Sequence, residues 1–118
     1  MNKILVSNNG DSPGKSELTW NLAVDGETID EMTNPRKTGD GETILLGNSR
    51  TVTKGKGATL TVLGSLTDDD GFLKGADDVG SFHRDYTEAT GYGVGSHIVN
   101  LTDGKNLNAS LFFTIAKV

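Results

Sequence analysis

The sequence predicts an all-β fold, an antiparallel β-sandwich of about eight strands. Three observations carry this. No window of eleven or more residues keeps apolar side chains at the i, i+3, i+4 and i+7 spacing of a buried helix face. Short β-prone runs recur along the chain, and Asx-Gly or Gly-rich pairs separate them, every 8–12 residues or so. With 118 residues, the chain matches one domain large enough to bury a single core.

The strands read in order as Lys3–Ser7, Leu18–Val24, Glu42–Leu46, Ser49–Lys54, Ala58–Leu66, Gly80–Asp85, Ser96–Leu101 and Ser110–Val118. Between them lie Asn9-Gly10, Asp25-Gly26, Asp40-Gly41, Gly55-Lys56-Gly57, Asp70-Gly71 and Asp103-Gly104. Such pairs supply the positive φ angles of tight turns. Thr28–Met32 is the best helical candidate, and Asn34-Pro35 limits it to one turn or a loop. Strand alternation puts Leu60, Val62, Gly64 and Leu66 on one face, and Leu111, Phe113 and Ile115 on another. Both read as core.

Composition excludes several classes of function. There is no cysteine, hence no disulfide, thiolate metal site or cysteine nucleophile. Sixteen acidic against eleven basic residues give a net charge of −5. A nucleic-acid binder needs a basic face instead. No apolar run approaches the roughly 18–20 residues of a membrane span, and the N-terminus has no signal-peptide core. The expectation is a soluble protein, cytoplasmic or exported by a non-classical route.

Enzymatic signals are weak. His83 and His97 are too isolated to argue for zinc. No nucleophile elbow frames a serine. Gly91-Tyr92-Gly93-Val94-Gly95 lacks the strand–loop–helix setting of a phosphate loop and reads as a loop or irregular strand. Arg50, Lys54 and Lys56 share a strand parity, which suits either a basic face or ordinary solubilising charge on an edge strand.

The chemical signal lies in the acidic segments. Asp68-Asp69-Asp70 follows the Ala58–Leu66 strand, and Asp77-Asp78 returns after a short loop. The parity that carries Leu60 to Leu66 puts Asp68 and Asp70 on the core side of the strand tip. Carboxylates about 4 Å apart repel by about 1 kcal/mol per pair even in water, so a cation would offset their crowding. Ca2+ accepts six to eight oxygens in irregular loops, which fits aspartates among glycines. An EF-hand does not fit, because Gly71 at the sixth loop position puts Leu66 at the first, where an Asp is needed.

A second acidic pair, Asp11 and Glu17, brackets Ser12-Pro13-Gly14-Lys15-Ser16 before the strand Leu18-Thr19-Trp20-Asn21-Leu22. This segment resembles the first calcium loop of C2 domains. Asp68, Asp70, Asp77 and the pair Val79-Gly80 resemble the third loop of that family. The resemblance implies an eight-stranded C2-like sandwich with its calcium loops gathered at one end. It implies Ca2+ ligands at Asp11, Glu17, Asp68, Asp70, Asp77 and Asp78, and Ca2+-dependent contact with an anionic phospholipid surface or a protein partner. Phe72, Leu73 and Lys74 at the tip of the second acidic loop would suit insertion at a lipid interface. The competing expectation is a structural or assembly subunit, such as a coat, decoration or fibre component. That reading is compatible with a homo-oligomer and a structural calcium ion.

Overall fold

Alternation along each strand divides the chain's apolar side chains between two facing sheets. In this computed structural model, residues 1–9, 16–68 and 78–118 are described, with Asn9, Ser16 and Asp78 described by backbone alone. The strands are β1 (Lys3–Asn9), β2 (Ser16–Val24), β3 (Glu27–Thr38), β4 (Thr43–Leu45), β5 (Thr59–Asp68), β6 (Asp78–Thr87), β7 (Gly95–Thr102) and β8 (Leu107–Ile115). They form two four-stranded sheets of order β4-β1-β8-β7 and β3-β2-β5-β6. All the strand pairings are antiparallel. The predicted all-β sandwich is what the chain adopts.

The inner face of one sheet carries Ile4, Val6, Ile44, Val99, Leu101, Leu107, Ala109, Leu111 and Phe113. The other contributes Leu18, Trp20, Leu22, Val62, Leu66 and Phe82. Along β5 the residues Leu60, Val62, Gly64, Leu66 and Asp68 are all buried, as the parity requires. The sheets approach most closely where β6 meets β7. A Cβ at Gly80 would lie 2.4 Å from both the Leu101 carbonyl carbon and the Thr102 nitrogen.

The eight strands are not the eight the sequence predicts. Residues 27–38 form the longest strand, not a helical turn or loop. It sits on a sheet edge, where a proline's missing N–H costs no ladder bond if it faces outward. Its pairing with β2 shifts register between Leu18↔Arg36 and Trp20↔Met32, so residues 33–35, Pro35 included, fall in a bulge. The Asp25-Gly26 hairpin before it has φ of +50° and +78°, the sign pattern of a type I′ turn.

Conversely, residues 49–54 form no strand. Their β-branched residues find no sheet edge to pair with, and basic side chains tie the segment to the β2–β3 turn. Arg50 pairs with Glu27 at 3.1 Å and donates to the Val24 carbonyl at 2.5 Å. Lys54 pairs with Asp25 at 2.5 Å. These two cations are therefore engaged with acidic neighbours and do not form a basic strand face. Glu88–Gly93 forms a short 3-10 segment that takes in the first three residues of Gly91–Gly95, which the sequence predicts as a loop or irregular strand.

Candidate functional site

Strand direction decides which connections share a pole of the sandwich. β1, β3, β5 and β7 end at one pole, where β2, β6 and β8 begin. The register fixes this: Ser16 pairs with Thr38, Leu18 with Asp68, Asp68 with Asp78, Asn9 with Leu107 and Thr102 with Asn108. The connections 10–15 and 69–77 thus leave from neighbouring strand ends.

Along the sequence, charge concentrates in the strand ends at this pole and in the segments that connect them. Residues 9–18, 36–43, 67–79 and 102–107 hold ten of the sixteen acidic residues and five of the eleven basic ones. They carry the whole net charge of −5, and the rest of the chain balances at six of each sign. Loops on a rigid scaffold are the usual place for binding residues.

Of the six predicted Ca2+ ligands, two have described side chains. Asp68 faces inward at the tip of β5 and is wholly buried, at 0 % exposure, as is Thr38 at the end of β3. Burying a carboxylate is expensive unless it is paired, hydrogen-bonded or bound to a metal. Glu17 stands exposed on the outer face, opposite Lys37 in register. Asp68 and Glu17 therefore share the pole but face opposite sides of the sheet, because Glu17 is one residue out of phase with Leu18, the partner of Asp68. The Asp78 backbone closes the β5–β6 pairing opposite Asp68. Asp11, Asp70 and Asp77 lie outside the described residues, as do Asp69, Phe72, Leu73 and Lys74. Among the described residues, no group of three or more His, Asp or Glu side chains is placed to hold a metal.

The pole also brings in acids that the sequence reading treats only as turn residues or leaves aside. Asp40 and Glu42 follow β3, and the Glu42 carboxylate accepts a hydrogen bond from the Gly39 N–H. Asp103 Oδ1 accepts the N–H groups of Lys105, Asn106 and Leu107 at 2.8, 3.0 and 3.1 Å. Asp103 thereby shapes the β7–β8 turn. Asx-turn chemistry is the one sequence signal for it.

Among the described residues, the two histidines and Asp85 make contacts within the sandwich. His83 Nε2 lies 3.0 Å from Asp85 Oδ1, and Thr61 Oγ1 donates to the same oxygen at 2.7 Å. The Thr61 hydroxyl and the His83 imidazole thus meet on the same carboxylate oxygen. These hydrogen bonds, from Thr61 first and then His83, hold Asp85 below the usual carboxylate range. His97 stacks on Phe113 at 5.0 Å, and its Nε2 donates to the Gly93 carbonyl at 2.5 Å.

Asp25 illustrates the opposite, charge-balanced pole. Burial raises its pKa. The Lys54 hydrogen bond, the Thr61 N–H at 2.9 Å and the Lys54 and Arg50 charges outweigh burial, and the net shift is downward. A depressed carboxylate stabilises the fold fully above its unfolded pKa, about 3.9, and loses that contribution as pH falls through the folded value. Lys54→Met is expected to be less stable than the parent at pH 7. The gap should narrow as pH drops below about 4, which urea unfolding at a series of pH values measures.

No family model matches the chain, and no curated protein or solved structure matches it.

Proposed function

We propose that the chain is a calcium-binding β-sandwich module, C2-like in its loop arrangement. Its acidic pole makes Ca2+-dependent contact with an anionic phospholipid surface or a protein partner. The observation that carries this reading is the convergence of the strand ends flanking 10–15 and 69–77 at one pole, with Asp68 buried at its inner rim, and the sequence of those strand ends and their connecting segments carries the whole net charge. In this reading Asp68, Asp70 and Asp77 supply the central carboxylates, with Asp11, Asp78 and backbone carbonyls completing the oxygen shell, and Glu17, on the outer face of the sheet, is left out of it. Loop carboxylates that bind one or two ions lose their mutual repulsion, and an open coordination position is left for an anionic group on the partner.

The double variant Asp70→Asn/Asp77→Asn tests the assignment by calorimetric Ca2+ titration. Affinity is expected to fall by about a hundredfold at the least, since two charge-assisted ligands are lost at about 1.5–3 kcal/mol each. An unchanged affinity would refute the ligand set. Cosedimentation with phosphatidylserine vesicles, with and without Ca2+, then separates a lipid surface from a protein partner.

A second reading, an assembly subunit of a coat, decoration or fibre, draws on a different face. Leu45, Lys3, Phe112 and Ile98 form one cross-strand row on the outer side of β4-β1-β8-β7. Leu45 is 80 % and Ile98 63 % exposed, and the Lys3 ammonium lies 4.6 Å from the centre of the Phe112 ring. A discrete oligomer by light scattering, abolished by Ile98→Lys, would favour this reading.

A further inference from the structure

The pole opposite the acidic connections contains a cavity of about 960 Å3, open to solvent on one side. That is near the top of the roughly 300–1,000 Å3 range of small-molecule sites. Its floor is apolar and comes from both sheets: Val24, Leu60, Val62, Phe113 and Ile115. The segment 49–54 crosses it as a strap, with Val52 half-buried toward it.

Each end of the strap is fastened. Arg50 is held by Glu27 and the Val24 carbonyl, and Lys54 by Asp25. Beyond Lys54, the Tyr92 hydroxyl donates to the Gly55 carbonyl at 2.9 Å. Tyr92 itself lines the cavity and has φ of +52°, between Gly91 at +63° and Gly93 at +67°. A tyrosine in the left-handed region is unfavourable and persists where its surroundings fix it, often at a ligand clamp. Here the unfavourable backbone sets the ring at the mouth and the hydroxyl on the strap.

The charged groups around the cavity are Arg50, Lys54, Lys117 and Glu88, together with the Met1 ammonium and the Val118 carboxylate. Arg50 and Lys54 are matched by Glu27 and Asp25. Lys117 extends from the end of β8 at the exposed mouth. An apolar floor with a cation at the mouth is complementary to a molecule with a hydrocarbon body and an anionic head.

We propose that this cavity binds a small, free amphiphile. Its apolar body lies between the sheets under the 49–54 strap, and its anionic head meets Lys117. The strap closes the site against a flat bilayer, so the ligand enters as a monomer. This site is independent of the acidic pole and of any calcium ion.

Anilinonaphthalene sulfonate, an anionic aromatic probe, tests it by fluorescence titration in excess EDTA. The expected result is saturable binding of one probe per chain, displaced by dodecanoate and unaltered by added Ca2+. Val52→Trp, which fills the cavity from the strap, should weaken binding about tenfold or more. Lys117→Glu should weaken it about threefold, as suits an exposed charge. Circular dichroism melts establish that the variants are folded. On the parent chain, amide NMR shifts induced by dodecanoate should concentrate in residues 49–54, 60–62, 92 and 113–117. Absence of saturable binding to the folded chain, undiminished binding by folded Val52→Trp, dependence on Ca2+, or shifts centred elsewhere would each overturn the proposal.

Discussion

Trp20→Ala is expected to lower the free energy of unfolding by about 4 kcal/mol, from burial and cavity cost together. Trp20 is 5 % exposed and belongs to the main core cluster. Its indole also does something no aliphatic residue could. The Nε1–H donates to Asp30 Oδ1 at 3.0 Å, and the other carboxylate oxygen of Asp30 accepts from Asn48 Nδ2 at 3.1 Å. Asp30 is itself buried, on the inner side of the edge strand β3. One carboxylate thus links β2, β3 and the chain just before the strap. Trp20→Phe separates the two effects, since it keeps most of the ring volume and removes the donor. That variant should lose about 1.5–3 kcal/mol, the range for a hydrogen bond to a charged group. Urea unfolding followed by far-UV circular dichroism measures both. Domains of this kind have only about 5–15 kcal/mol in total, so Trp20→Ala should melt far below the parent.

Gly80→Ala should cost about 3 kcal/mol, at the upper end for overpacking. The new methyl would meet main-chain atoms of Leu101 and Thr102 at 2.4 Å. A side chain could rotate away, but β7 is anchored by eight residue pairings to β8, from Gly95↔Ile115 to Thr102↔Asn108. Relief requires the two sheets to part at the β6–β7 edge, beside the acidic pole. Gly26→Ala offers a contrast. Gly26 has open space around it but φ of +78°, so its cost is backbone strain of about 1 kcal/mol. Denaturant midpoints of the two variants, compared with the parent, measure the difference.

Much of the fold was legible because a sandwich writes its core in period two. The parity of β5 led directly to the buried series ending at Asp68, and the Asx-Gly pairs at 25–26, 40–41 and 103–104 each lie between consecutive strands of the structure. Local pattern failed where tertiary position decided the outcome. Pro35 argues against a strand in isolation, but an edge strand with a bulge accommodates it. Thr51-Val52-Thr53 looks like a strand, yet ion pairs of Arg50 and Lys54 hold it across an open end of the sandwich.

The site was legible as a charge pattern and as a shared pole. What the sequence could not supply was facing. Glu17 and Asp68 were grouped by their nearness to strand ends, but one residue of phase between β2 and β5 puts them on opposite sides of the sheet. The cavity was invisible, because its floor residues read as ordinary core and its strap as a strand. Only the tertiary fold brings residues of both sheets and the 49–54 segment around a common space.

The central claim is that the acidic pole binds calcium, and a thermal melt tests it most directly. The chain is melted in excess EDTA, then in millimolar CaCl2, with MgCl2 as the control. A ligand at a hundred times its dissociation constant adds about 2.7 kcal/mol, which for a domain of this size raises the midpoint by roughly ten degrees or more. The account predicts that rise with CaCl2 and little change with MgCl2. Coincident melts in EDTA and CaCl2 would contradict it.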